Sequence, residues 1–238
     1  VISGLPQGTG LGPLLMIIMN HDIHRDVKNS VLGSFADDTK IQGAYNSEEE
    51  HRLFGDDVCS VYRWAQLNNM QFNHKIFILL RYGSNSQAKE ETSLCDPTGE
   101  VIEAKENARD LGVVMNDQGT FTDHIEKVTT DCRRTMAMIF RSFSTRDEMT
   151  LKTLYKSLIL SKLDYCSPLY MPTKITDIRM LERVQFDFTL RINGMRENER
   201  PINYWKRLER LGMYSVERRH ERYAIMYTWK ALHGMTRN

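Results

Sequence analysis

Asp37 and Asp38 stand side by side in the stretch Val31-Leu32-Gly33-Ser34-Phe35-Ala36-Asp37-Asp38-Thr39-Lys40-Ile41-Gln42, between two short apolar runs. Two adjacent carboxylates repel one another, and a nearby cation is the natural way to hold both as anions. Hard divalent ions prefer such oxygen ligands. Magnesium in nucleotidyl transfer is commonly held by one or two carboxylates, with substrate phosphates and water completing its shell. Aspartate is also simply common in turns, so the pair alone leaves both readings open. The flanking pattern says what would position the acids: Val31, Gly33 and Phe35 occupy alternate places before them, and Thr39 and Ile41 after them. That two-residue period predicts strand, tight turn, strand, with the acids at the tip and with Phe35 and Ile41 turned toward a helical layer.

The chain has 238 residues, enough to bury a real core as one large domain or two small ones. Its hydrophobic share of 41% and charged share of 26% are those of an ordinary soluble globular protein. The net charge of +1 conceals an asymmetry: residues 1–120 carry 10 Lys+Arg against 17 Asp+Glu, and residues 121–238 carry 22 against 14. An acidic half suited to cations is thus joined to a basic half suited to a polyanion. Cys59, Cys95, Cys132 and Cys166 show no metal-ligand spacing, and we expect reduced core residues in an intracellular protein of the cytoplasm or nucleus. The histidines form no constellation, and His74 and His124 read as surface residues. The most apolar run, residues 11–19, is well short of the ~20 residues that span a bilayer, so no membrane partner is expected.

Four glycines and two prolines crowd residues 3–13 and give way to Leu14-Leu15-Met16-Ile17-Ile18-Met19, a shaped loop feeding a helix that should be buried under the hairpin. Glycine-rich backbone at a helix start can approach phosphates closely, although neither of the common nucleotide-loop spacings is met. Ser47-Glu48-Glu49-Glu50 is a capping box opening a helix with Phe54, Val58, Val61 and Ala65 on one face and a stop at Asn68-Asn69. Strands are expected at residues 70–73 and 76–82, around Val101, and at residues 108–115. A polar loop fills residues 83–91. Beyond Gly119 the period becomes helical: Ile125, Val128, Cys132, Met136 and Ile139; a second capping box at Thr145 leading to Leu151, Leu154, Tyr155, Leu158 and Ile159; Ile178, Leu181, Gln185, Phe188 and Ile192; and a last helix from Ser215 to Gly234. The expected architecture is α+β, with a mixed unit over residues 1–119 and a basic all-α unit over residues 120–238.

These segments together resemble the reverse transcriptase of non-long-terminal-repeat retrotransposons, the jockey-like elements in particular, over essentially the whole chain. Ser3-Gly4-Leu5-Pro6-Gln7-Gly8 with Leu11-Gly12-Pro13-Leu14-Leu15 is similar to the motif that shapes the nucleotide and template pocket, and Phe35-Ala36-Asp37-Asp38-Thr39-Lys40 to the catalytic motif. Trp64, Met70-Gln71-Phe72-Asn73 and Lys75 resemble a following motif, with Ile76 at the family's lysine position and Lys75 one place early. Arg109-Asp110-Leu111-Gly112-Val113 resembles the strand that positions the primer end, and the helical region resembles a thumb.

The resemblance implies a partial polymerase palm followed by a thumb. It implies an RNA-directed DNA polymerase that extends a DNA primer on an RNA template with deoxynucleoside triphosphates and two magnesium ions. Asp37 and Asp38 would be metal ligands, Lys75 a proton donor or phosphate contact, Ser3, Gly4, Pro6, Gln7 and Gly8 the nucleotide and template contacts, and Leu111, Gly112 and Val113 the primer grip. The family's palm carries another aspartate on an upstream strand, and its fingers precede that. The chain opens at Val1 inside the glycine-rich motif, so we expect a piece of a longer polyprotein, inactive alone. The alternative is a non-catalytic nucleic-acid-binding remnant of a mobile element.

Overall fold

A computed structural model of the chain describes residues 8–70, 72, 77–83, 94–97, 99–197 and 200–236. It divides into two compact units, Val1–Glu106 and Asn107–Asn238. Sequence periodicity puts the boundary after residue 119; the structure puts residues 107–116 with the helices instead, because this segment packs on the helix that follows it.

The first unit contains helix α1 (Gly12–Asn20), a hairpin of β1 (Val31–Phe35) and β2 (Asp38–Gln42), and helix α2 (Glu48–Leu67). The expected capping box forms: Ser47 Oγ accepts from Glu50 N at 3.2 Å, and Glu50 Oε2 accepts from Asn46 N at 2.7 Å. Three glutamates in the first turn complement the helix dipole. Ser47→Ala should cost about 1 kcal/mol in urea denaturation of the chain; an unchanged midpoint would contradict the cap's role. Asn69 ends α2 in the left-handed conformation, φ 53°.

Helix α2 organises the unit. Val61, Trp64 and Ala65 pack with Ile23, and Leu32 and Ile41 of the hairpin lie against that cluster; Val58 and Tyr62 pack with Leu94, Phe72 and Phe77. Asp57 accepts from Lys28 N at 3.0 Å and Asn29 N at 2.7 Å, and Trp64 Nε1 donates to Asp22 Oδ1 at 2.8 Å. These bonds fasten the segment that enters β1 to α2. At the hairpin's exit a Cβ on Gly43 would lie 2.4 Å from the Phe54 ring, so only glycine permits that approach.

Two expectations fail here. Helix α1 is not buried under the hairpin: Leu14, Leu15, Ile17 and Ile18 are exposed, and Asn20 Nδ2 at its end donates to Ala36 O in the hairpin at 3.5 Å. The inner face of the hairpin is already filled by Ile23 and α2. The strand expected at residues 76–82 reduces, in its described part, to one parallel bridge between Leu79 and Ala104; around Val101 there is one antiparallel bridge, to Cys95.

In the second unit, β3 (Asn107–Asp110) and β4 (Val113–Asn116) form a hairpin, followed by α3 (Thr122–Ser142). Next, α4 (Glu148–Leu154) runs through a π-helical turn (Tyr155–Leu160) into α5 (Ser161–Asp164). Then come α6 (Ile175–Thr189), the short pair β5 (Arg196–Glu197) and β6 (Arg200–Pro201), α7 (Tyr204–Leu211) and α8 (Val216–Leu232). The strand expected over residues 108–115 is broken at Leu111 and Gly112, whose φ angles of 44° and 91° make a two-residue turn. Val113 is buried, and Val114 N donates to His124 Nδ1 at 3.3 Å, which ties the hairpin to α3.

The helical stripes read from sequence form one core: Ile125, Cys132, Met136 and Ile139 of α3, Leu151 of α4, Tyr155 and Ile159 of the π turn, and Leu181 and Phe188 of α6. Helix α4 starts two residues later than the box at Thr145 implies, because the Asp147 carboxylate accepts from Thr150 N at 3.0 Å and serves as the cap. Of the four cysteines, Cys132 is in the core, where burial pushes its thiol up to about 12, whereas Cys95 is exposed. Arg207 is wholly buried, its guanidinium over the Phe186 ring at 4.5 Å.

His124 is not on the surface; it and His220 are buried against Tyr170, with ring centroids 4.7 and 5.8 Å away. Burial holds both imidazoles below their usual range; Lys127 adds to this at His124, while Asp164 opposes it at His220. Because the unfolded chain protonates these histidines first, stability should fall as pH drops below about 6.5, by at most about 1.4 kcal/mol per pH unit for each. Glu182 works the other way: burial raises its carboxyl, so acidification toward its unfolded value restores some stability. Melting at pH 7.5 and 5.5 should give a lower Tm at 5.5; a flat or rising Tm would contradict the burial of neutral histidines.

Candidate functional site

In the β1–β2 hairpin Leu32 pairs with Ile41, Ser34 with Thr39 and Phe35 with Asp38. That register leaves Ala36 and Asp37 as a two-residue turn, so the acids sit at the tip as the sequence predicts. Paired residues share a face of the ladder. Leu32 and Ile41 therefore face the core, with Ser34 Oγ and Thr39 Oγ1 at 3.4 Å next along that face. Phe35, expected to point inward with Ile41, belongs to the other face and is 66% exposed. The error is one of register: a two-residue turn puts Phe35 opposite Asp38, out of phase with Ile41.

Ala36 carries φ 55°, a conformation that costs a residue with a Cβ roughly 1 kcal/mol and that glycine would adopt freely. The strained residue immediately precedes Asp37, where it bends the chain sharply enough to put the two acids at the hairpin's end. Strain of this kind gathers at functional sites. The sequence offers no signal for it, since alanine is not a turn former.

Asp37 and Asp38 are both exposed, and neither carboxylate has a hydrogen-bond or ion-pair partner among the described residues. Their donor chemistry fits a hard divalent cation. Among the described residues no three metal-ligating side chains cluster, so two carboxylates are what this hairpin offers. Of the glycine-rich motif, Gly8 is described: it is exposed, with φ 80° and open space around its Cα. Ser3, Gly4, Pro6, Gln7 and Lys75 lie outside the described residues.

The candidate primer grip lies in the second unit, at the β3–β4 turn. Leu111 is exposed and its carbonyl accepts from Tyr165 Oη at 2.7 Å; a Cβ on Gly112 would touch the same ring at 3.5 Å; Val113 is buried beneath. Tyr165, which fixes this turn, is absent from the sequence reading because its partner is a backbone atom far away in the chain. Among the described residues no helix is long and apolar enough to cross a membrane.

No protein-family model matches the chain, and no solved structure matches it. Curated relatives do. The chain is 27% identical over 209 residues to the probable RNA-directed DNA polymerase from transposon X-element of Drosophila melanogaster, a match covering 82% of this chain and 22% of the relative. It is 21% identical over 211 residues to the RNA-directed DNA polymerase from mobile element jockey, again 82% of this chain and 22% of the relative. A third match, to the probable RNA-directed DNA polymerase from transposon BS, is 22% identical over 63% of this chain. The chain spans about a fifth of the length of the relatives it matches. In sequence the chain is thus similar to the RNA-directed DNA polymerases of Drosophila transposons, that of jockey among them.

Proposed function

We propose that the chain is the part of an RNA-directed DNA polymerase that carries two of the metal-binding carboxylates and the nucleic-acid-holding helices. The observation that carries this reading is the tight hairpin with two adjacent carboxylates at its tip that have no partner among the described residues. Magnesium ions bound in the intact enzyme would activate the primer 3′-hydroxyl and steady the leaving pyrophosphate. Asp37 and Asp38 would hold those ions, and the strained turn at Ala36 and the anchoring of the hairpin on α2 would fix where they point. The Leu111–Gly112 turn would support the primer strand. Pro6, Gln7 and Gly8, with Ser3 and Gly4, would shape the pocket for a deoxynucleoside triphosphate paired to the RNA template. Lys75 would serve as a phosphate contact. The mixed unit would be the palm portion and the basic helical unit the thumb.

Two carboxylates fall short of a two-ion donor set, so an upstream segment of the same polyprotein would supply the rest. The chain alone should therefore not polymerise. The absence of a third ligand among the described residues also favours a second reading, a nucleic-acid-binding remnant without chemistry. Extension of a DNA primer on an RNA template by a longer parent polypeptide separates the two.

A further inference from the structure

We propose that a groove between α3 and the end of α6 in the helical unit is a binding site for the phosphate backbone of a nucleic-acid duplex, gripped by Arg133, Arg191 and Arg196. The inference rests on the reading of this unit as the part that holds nucleic acid and names the surface that does so. The groove has a volume of about 410 Å³ and is lined by the three arginines together with Met136, Ala137 and Leu190. Arg133, Met136, Ala137 and Phe140 fall on one face of α3, at spacings of three and four.

All three guanidinium groups are exposed, and none forms an ion pair among the described residues. Two acids on the same helices are engaged with other arginines. Asp131 pairs with Arg134 at 3.1 Å, and Asp187, the groove's one carboxylate, pairs with Arg183 at 2.9 Å. Arg191 is held in place rather than free, its guanidinium lying 4.7 Å from the Phe140 ring centroid. The groove's two sides are also tied together. Arg146 donates to Phe140 O and Phe143 O at the end of α3, and its own carbonyl accepts from Asn193 N, beside Arg191, at 2.9 Å. Less rotamer freedom is therefore lost when an anion arrives.

Planar guanidinium forks match phosphate oxygens two at a time. Three of them along an apolar floor suit a run of successive phosphates, and the deep, narrow major groove of an A-form-like hybrid keeps side chains from the base edges there, so the contact is with backbone and is independent of sequence. An acidic protein segment would meet the same charges. A duplex is favoured because the unit as a whole is basic, with 23 Lys+Arg against 16 Asp+Glu in residues 107–238, and so adds long-range attraction for an extended polyanion.

The test is fluorescence anisotropy of the 238-residue chain with a labelled RNA–DNA hybrid duplex across a salt series. The triple variant Arg133→Gln, Arg191→Gln, Arg196→Gln should bind about tenfold or more weakly, and its slope of log K against log salt should fall by about 2 to 3, close to 0.9 per phosphate lost. A control triple on α8, Arg218→Gln, Arg222→Gln, Lys230→Gln, removes the same charge and should retain most of the slope. The Lys version of the groove triple should recover the slope, which separates charge from misfolding. The groove assignment is overturned if the wild-type chain binds and the groove triple matches it, or if the control triple loses as much. Loss of polyglutamate binding with duplex binding intact would assign the groove to an acidic protein instead. A wild-type chain with no salt-dependent duplex binding would overturn the underlying reading of the helical unit as well.

Discussion

Gln185→Leu is expected to destabilise the helical unit by about 2–4 kcal/mol, because it removes three hydrogen bonds at a wholly buried amide and strands the buried Tyr155 hydroxyl. Gln185 is completely buried on α6. Its Oε1 accepts from Tyr155 Oη at 2.8 Å, and its Nε2 donates to Tyr204 Oη and to the Tyr214 carbonyl, each at 3.0 Å. Tyr204 in turn donates to Glu182, whose other oxygen accepts from Glu217 N at 3.1 Å. One amide therefore joins the π-helical turn, α6, α7 and the start of α8. Leucine has a similar volume, so the loss reports unsatisfied hydroxyl and carbonyl groups rather than a cavity. Adding Tyr155→Phe removes one stranded hydroxyl, and the double variant should recover at least about 1 kcal/mol relative to the sum of the single changes. Urea denaturation of the four proteins measures both numbers. A Gln185→Leu variant within 1 kcal/mol of the parent would show that the network is not what holds these elements together.

The same residue shows how far the sequence could be read. Helical spacing placed Gln185 in line with Leu181 and Phe188, and the structure buries it there; nothing in the spacing says that its amide meets Tyr155, Tyr204 and Tyr214, because those partners come from three other elements. The hairpin was legible for a similar reason: period-two patterning and turn chemistry are local. What was not legible is register. A two-residue turn changes which residues share a face, and Phe35 went to solvent where the alternation alone suggested the core. The cap of α4 moved from Thr145 to Asp147 because both residue types can cap and only the backbone path decides between them. The apolar composition of helix α1 implies burial, but burial depends on what else is present to cover it. His124 and Arg207 are the opposite case: polar residues that look solvated in a one-dimensional reading and are enclosed by elements brought together from far along the chain.

The second large effect concerns the acids. Loss of either Asp37 or Asp38 in an active parent polypeptide should reduce primer extension by about a thousandfold or more, since each would remove a charged ligand from a site whose electrostatic term dominates the rate. Asparagine keeps the shape and the turn propensity of aspartate while removing the charge. The exposed tip and the packing of Leu32 and Ile41 should be undisturbed, so folding stability should change by well under 1 kcal/mol. In the 238-residue chain alone, two exposed carboxylates surrounded by water face screening instead of a closed, charged pocket. They should bind magnesium weakly and support no incorporation.

Extension of a DNA primer on an RNA template with magnesium and deoxynucleoside triphosphates is the most direct measurement. It would use the 238-residue chain, a longer parent that includes the upstream segment, and Asp37→Asn and Asp38→Asn forms of each. Incorporation is expected from the parent alone, abolished by either substitution, and none from the shorter chain. A parent that extends primers equally well with asparagine at both positions would contradict the assignment of the hairpin carboxylates as metal ligands.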